Sequence, residues 1–208
     1  MILLHATRKL FERLPLGEQG LLEATPRSEW LFEAESIEAN PLSGWHGNVV
    51  TYQRRNCLLL VNDETRFPLF LPALTKPDFA ELNDRFVDAL MNTLLKCGAD
   101  QDQLDAAQRL LRPLQIDTLC NRSAQATLNR MSQELEHALH YDNINVAEIT
   151  GYRQGAWLAQ TPRNVKGQGV LWPQKAMLEL LSGLAQGSKP QDDNQREEAT
   201  TSLHAIRD

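Results

Sequence analysis

Apolar positions recur at two different periods along this chain, and the change of period predicts its organisation. Residues 47–52, 56–61 and 67–71 are short β-rich runs. Gln53-Arg54-Arg55 separates the first two as a hairpin, and Asn62-Asp63-Glu64-Thr65 reads as the next turn. Prolines in the third run place it at an edge or an end, because proline cannot donate to a central ladder. From Phe79 onward the spacing becomes helical. Phe79, Leu82, Phe86, Leu90 and Leu94 share one face, Thr75-Lys76-Pro77-Asp78 opens the helix and Gly98 ends it. Asp100 caps another helix with Leu104, Ala107 and Leu111 inward, stopped by Pro113. Residues 114–119 form a last strand feeding a helix from Asn121 to about Tyr141, whose stripe is Ala124, Leu128, Met131, Leu135 and Leu139. Residues 146–160 read as a helix interrupted at Gly151 and Gly155, and Pro173 opens another with Met177, Leu180, Leu181 and Leu184 on one side.

The front of the chain is less regular. Residues 1–6 read as a strand, and Thr7 caps a short helix to about Leu14, stopped by Pro15. Residues 16–43 are broken by Gly17, Gly20, Pro26 and Pro41 and made acidic by Glu29, Glu33, Glu35 and Glu38; they read as a long irregular connection with room for a helical turn near Trp30. The last residues, 186–208, are polar and read as a disordered tail. Strands early, helices late and short turns between consecutive strands predict one α+β domain over residues 1–185. Its sheet is expected to be mainly antiparallel, with helices packed on one face. Phe79, Leu82, Phe86, Leu128, Met131 and Leu135 are expected in the core.

Composition narrows the class. The chain has 208 residues, 42% hydrophobic and 23% charged, as a globular protein does. No apolar run reaches bilayer-spanning length and the start lacks a signal peptide's pattern, which points to the cytoplasm. Cys57, Cys97 and Cys120 are odd in number with no Cys-x-x-Cys spacing, so buried reduced thiols are expected rather than disulfides or a zinc site. A net charge of −6 argues against non-specific nucleic-acid binding, though not against a local basic groove.

Candidate chemistry is sparse. Phosphate-loop, dinucleotide-fold and nucleophile-elbow motifs are absent. Glu134-x-x-His137 with His140 is a single copy of a pattern that di-iron bundles need twice, so no metal and no cofactor are expected. The unusual feature is Asn121-Arg122-Ser123, followed by Thr127 and Asn129. Asn121 suits an N-cap, whereas Arg122 puts a positive charge at the positive end of the helix dipole. An anion held there by amides, guanidinium and hydroxyl would account for it; so would an internal Arg–carboxylate pair pinning the helix. A second combination is Arg54 and Arg55 with Trp45, His46 and Tyr52 nearby, charge beside aromatic faces as on single-strand nucleic-acid platforms, or simply an exposed turn at a sheet edge.

These motifs together resemble an uncharacterised bacterial family, a domain of unknown function, over about residues 1–182. They are Thr7-Arg8-Lys9, Trp45 with Asn48 and Arg54-Arg55, Asn62 with Thr65, Asn121-Arg122-Ser123, and Leu158-Ala159-Gln160-Thr161-Pro162. Two places depart from the family pattern: Ala126-Thr127-Leu128-Asn129 stands for Gly-Ser-Met-Asn, and Gln160 stands for a glutamate. A catalytic glutamate at that place would be lost here. The resemblance implies no activity, cofactor or partner, but it groups Arg55, Asn62, Thr65, Arg122, Ser123 and Asn129 as one site or one polar network. Relatives joined to a mobile-element domain lend the nucleic-acid context weak support. Three functions stay open. The first is a non-catalytic module holding an anionic small molecule or an acidic protein segment. The second is a nucleic-acid-associated accessory or regulatory protein. The third is an enzyme on a phosphate or carboxylate substrate with Arg122 as clamp, for which His5 and His46 are the only early histidines.

Overall fold

The computed structural model describes residues 1–25, 40–165, 167 and 169–186. The helical turn expected near Trp30 and the tail from residue 187 lie outside the described residues. Five strands form one sheet: β1 (Ile2–Ala6), β2 (Trp45–Tyr52), β3 (Arg55–Asn62), β4 (Pro68–Leu74) and β5 (Leu114–Asp117), in the order β4-β3-β2-β1-β5. β2, β3 and β4 are an antiparallel meander, and β1 runs parallel to both β2 and β5. The architecture is α+β, but the sheet is mixed rather than mainly antiparallel. The reason is connection length. β1 reaches β2 through residues 7–44, and β4 reaches β5 through residues 75–113, both long enough for a crossover that returns the chain in the same direction.

Nor do the helices lie on one face. α1 (Arg8–Phe11), α2 (Lys76–Ala80), α3 (Leu82–Lys96), α4 (Gln101–Leu110), α5 (Arg122–Tyr141), α6 (Tyr152–Ala159) and α7 (Pro173–Gln186) are divided between two cores. Leu58 and Leu60 of β3 join Trp45, Phe86, Leu90, Ala107, Met177 and Leu181 on one side. Cys57, Leu59 and Val61 join Leu128, Met131, Leu135 and Leu139 of α5 on the other. The run Cys57–Val61 is apolar at every position because both of its faces are covered. Each expected core residue, from Phe79 to Leu135, is buried.

Local signals explain most boundaries. Gln53 and Arg54 both have positive φ, 48° and 62°, as the tight turn between right-twisted strands requires. β4 lies at the sheet edge, where Pro68 and Pro72 interrupt no central ladder. Gly98, at φ 82°, closes α3 with a pair of bonds: its N–H to Leu95 O and that of Ala99 to Leu94 O. Asp100 and Gln103 cap α4 reciprocally. Gly151 does interrupt the predicted 146–160 helix: α6 starts after it, and a Cβ there would meet Phe70 O at 2.1 Å. The small hairpin of β6 (Arg163–Val165) and β7 (Gly169–Leu171) carries no strand signal in the sequence. No helix among the described residues is long and apolar enough to cross a membrane.

Candidate functional site

Sheet register assembles a row of titratable groups. His46 of β2 pairs with His5 of β1, and His5 pairs with Asp117 of β5. Their sequence neighbours Trp45, Leu4, Ala6 and Ile116 enter the core on the α3 side, so strand alternation turns His46, His5 and Asp117 to the α5 side. α5 lies over β2 and β3, leaving this row beside its start, at the carboxyl ends of the parallel strands β1 and β5.

The bonding is specific. His5 Nδ1 lies 2.6 Å from Asp117 Oδ1, and His46 Nδ1 lies 2.5 Å from Asp63 Oδ1. The Asn121 amide donates to His46 Nε2 at 2.8 Å, which places the His46 proton on Nδ1, donated to Asp63. The two rings are 4.8 Å apart. His5 Nε2 faces Asp63 Oδ2 at 3.8 Å. His46 is buried, while His5, Asp63 and Asp117 are partly open to solvent.

Asn62 and Thr65 belong to the frame of this site rather than to its working surface. Asn62 Oδ1 accepts from the amides of Glu64 and Thr65 and from Thr65 Oγ1, and its Nδ2 donates to Gly44 O. That closed turn sets the position of Asp63 and of Arg66, which follows at φ 57°. Arg66 is buried; its Nη2 donates to Ser123 Oγ at 3.3 Å, while Nε and Nη1 have no partner among the described residues. Burial pushes its guanidinium below the ordinary arginine value, and the charge of Asp63 opposes that shift.

α5 supplies the second half. Asn121 caps it as expected, its Oδ1 accepting from the Ser123 and Ala124 amides. Arg122 is exposed and forms no ion pair among the described residues. It lines a groove of about 690 Å³ with Ser123, Thr127, Arg130, Arg163 and Asn164. The pin that Arg122 could have provided is made by Arg163, which is buried and holds Glu134 through both terminal nitrogens at 2.7 and 2.8 Å. Glu134 is thereby committed to structure, and His137 stacks on Tyr141 at the α5 surface.

The grouped residues therefore do not form one cluster. Arg55 begins β3 and Asn62 ends it, so roughly 23 Å of strand separates them at about 3.3 Å per residue. Asn129 is exposed on α5 and accepts a bond from Gln125. The aromatic platform also dissolves. Trp45 is fully buried, its Nε1 donating to Leu42 O at 2.7 Å, and the Tyr52 hydroxyl donates to Ser132 O in the α5 core. Arg54 and Arg55 stay exposed in the turn without these stacking faces. Burial, opposed by the Ser132 hydroxyl, pushes the Tyr52 phenol up to about 12. The native state thus keeps a proton that an unfolded tyrosine loses near pH 10, so its contribution is complete below about pH 10. Between about pH 10 and 12, Tyr52→Phe should lose about 2–3 kcal/mol less than the wild type in alkaline melts, while the buried Cys97 thiol gives up its own contribution in both.

Cys57 and Cys97 are buried as expected, with burial pushing the Cys97 thiol up to about 12, but Cys120 is exposed. β5 ends at Asp117, whose Oδ1 takes the Leu119 amide, and the chain leaves the sheet before the cysteine. Gln160 is exposed at the end of α6 beside α7, away from the histidine row. Asp63 and Asp117 were missed as site residues. Only the turn reading of Asp63, which puts it at a strand end, hinted at its place.

A family model described as a domain of unknown function (DUF6933) matches residues 3–176, and the chain belongs to that family. No curated protein and no solved structure matches it.

Proposed function

For a member of a family whose description names no activity, we propose a non-catalytic module that binds an anionic ligand, a small molecule or an acidic protein segment, in the groove along α5. The observation that carries this reading is the pair Arg122 and Arg130. Both are exposed, neither has a carboxylate partner among the described residues, and both line one groove with Ser123, Thr127 and Asn164. Eight residues of helix, just over two turns, set them about 12 Å apart along its axis. That spacing suits a ligand carrying more than one anionic group, each met by a guanidinium fork. Behind Ser123, the buried Arg66 adds a positive charge that no carboxylate among the described residues pairs with at ion-pair distance. The Arg55, Asn62, Thr65 and Asn129 side chains have no part in it.

Thermal melts with EDTA and inorganic phosphate, pyrophosphate or an acidic peptide test the proposal. The wild-type midpoint should rise with ligand, by an increment equivalent to about 2.7 kcal/mol at a hundredfold excess over Kd. Arg122→Ala should lose most of that increment while changing apo stability by under about 0.5 kcal/mol, as expected of an exposed, unpaired side chain. Equal shifts in wild type and variant, or none with any of the three anions, refute the groove as an anion site.

A further inference from the structure

His5 presents an unresolved electrostatic problem. In the neutral imidazole the proton sits on Nδ1, given to Asp117 Oδ1 at 2.6 Å, and Nε2 keeps a lone pair. That lone pair faces Asp63 Oδ2, another acceptor, at 3.8 Å, too far for a hydrogen bond. Two acceptors turned towards each other in a partly buried site repel unless a positive charge lies between them. Asp63 cannot turn away freely, because its other oxygen is held by His46 Nδ1 at 2.5 Å. His46 cannot turn either, since its Nε2 takes the Asn121 amide.

We propose that His5 Nε2 and Asp63 Oδ2 bind a divalent first-row transition-metal ion of the zinc or manganese class, with Asp117 and His46 as outer partners. One nitrogen and one carboxylate oxygen match the ligand preference of such ions. Asp117 on the far nitrogen of His5 is the carboxylate–histidine arrangement that orients a metal-binding imidazole and raises its basicity. Tetrahedral bonds of about 2.0–2.1 Å put two ligand atoms roughly 3.3 Å apart, so a small rotation of His5 or Asp63 closes the site. His46 lies within 4.8 Å of the His5 and Asp63 ligand atoms, yet it does not bind the ion itself. Bound through Nδ1 it would carry its proton on Nε2, against the donating Asn121 amide. The remaining coordination positions face the open side, where Asp63 and Asp117 are 26% and 36% exposed, and are left to water or an anion. This site is independent of the groove reading.

The test is calorimetric titration of the full chain with Zn²⁺ and, separately, Mn²⁺ in phosphate-free buffer. It uses a Cys120→Ser background so that the exposed thiol does not capture zinc. One equivalent should bind. His5→Ala and Asp63→Asn should each lose about a hundredfold or more in affinity. Asp117→Asn should lose roughly ten- to hundredfold as an outer partner, and His137→Ala with His140→Ala should lose nothing. Nitrogen-resolved NMR of the imidazoles in the unmutated site needs no variant to fold: Zn²⁺ should move His5 Nε2 strongly and leave the Asn121 bond to His46 intact. No saturable binding into the millimolar range overturns the proposal. Binding that survives His5→Ala, or zinc that moves only other histidines, also overturns it. Since the anion experiment runs in EDTA and this one without anions, either result can fail while the other stands.

Discussion

Trp45→Ala is expected to cost about 3–5 kcal/mol, the range for removing a large aromatic from a closed core. The ring is fully buried between the sheet and α3, edge-on to Phe86 with centroids 5.2 Å apart and planes at 89°. Truncation opens a cavity there and also removes the indole N–H from Leu42 O, leaving a buried carbonyl short of a donor. Trp45→Phe keeps most of the apolar area but not the donor, and should cost less. Urea unfolding followed by fluorescence and circular dichroism measures both: the midpoint should fall with the slope unchanged. A loss under about 1 kcal/mol for the alanine variant would contradict the seat described for this ring. Trp45 also precedes His46 on β2, so loosening it should weaken any ligand of the histidine row beyond the stability loss.

Glu134→Ala should cost about 3 kcal/mol. Breaking a buried ion pair from one side strands the other charge, at about 3–5 kcal/mol for a fully buried pair. Arg163 is 3% exposed but Glu134 is 27%, which puts this pair at the lower end. Among the described residues the guanidinium has no partner at Nε, and once Glu134 is gone only the 3.3 Å bond from Nη2 to Leu158 O is left to hold it. Replacing both, with Glu134→Leu and Arg163→Met, should recover most of the loss, because no charge then remains buried. A double-mutant cycle in urea reads this directly. If the double variant is no better than Glu134→Ala alone, the pair matters through packing of the β6 hairpin rather than through charge. The cycle also bears on function, since Arg163 and Asn164 form one wall of the α5 groove.

Periodicity and capping made the elements legible. The three β-rich runs, the α5 stripe from Ala124 to Leu139, the Asp100 cap and the Gly98 stop all follow from neighbours within about four residues. Sheet direction does not. The same connection, residues 7–44, could serve an antiparallel or a parallel return, and only its path in space decides. Face assignment was partly readable, because Cys57–Val61 lacks the alternation of a strand with one wet face. The candidate site was the least legible. Residues 5, 46, 63 and 117 span more than half the chain, and none stands in a motif with another. Arg122 and Asn62, conspicuous by sequence, proved to be a groove residue and a turn residue in different surroundings.

The sequence by itself determined where the helices and the strands of the main sheet form, which residues enter the core, and that α5 begins at an Asn cap. These depend on local backbone preference and on the period of apolar side chains, which one segment carries alone. Tertiary structure decided that β1 lies between two parallel neighbours, that helices cover both faces, and that His46, His5 and Asp117 fall in one row. Register between strands distant in the chain is set by how both cores close at once, and a titratable pair made that way leaves no mark in the spacing of its residues.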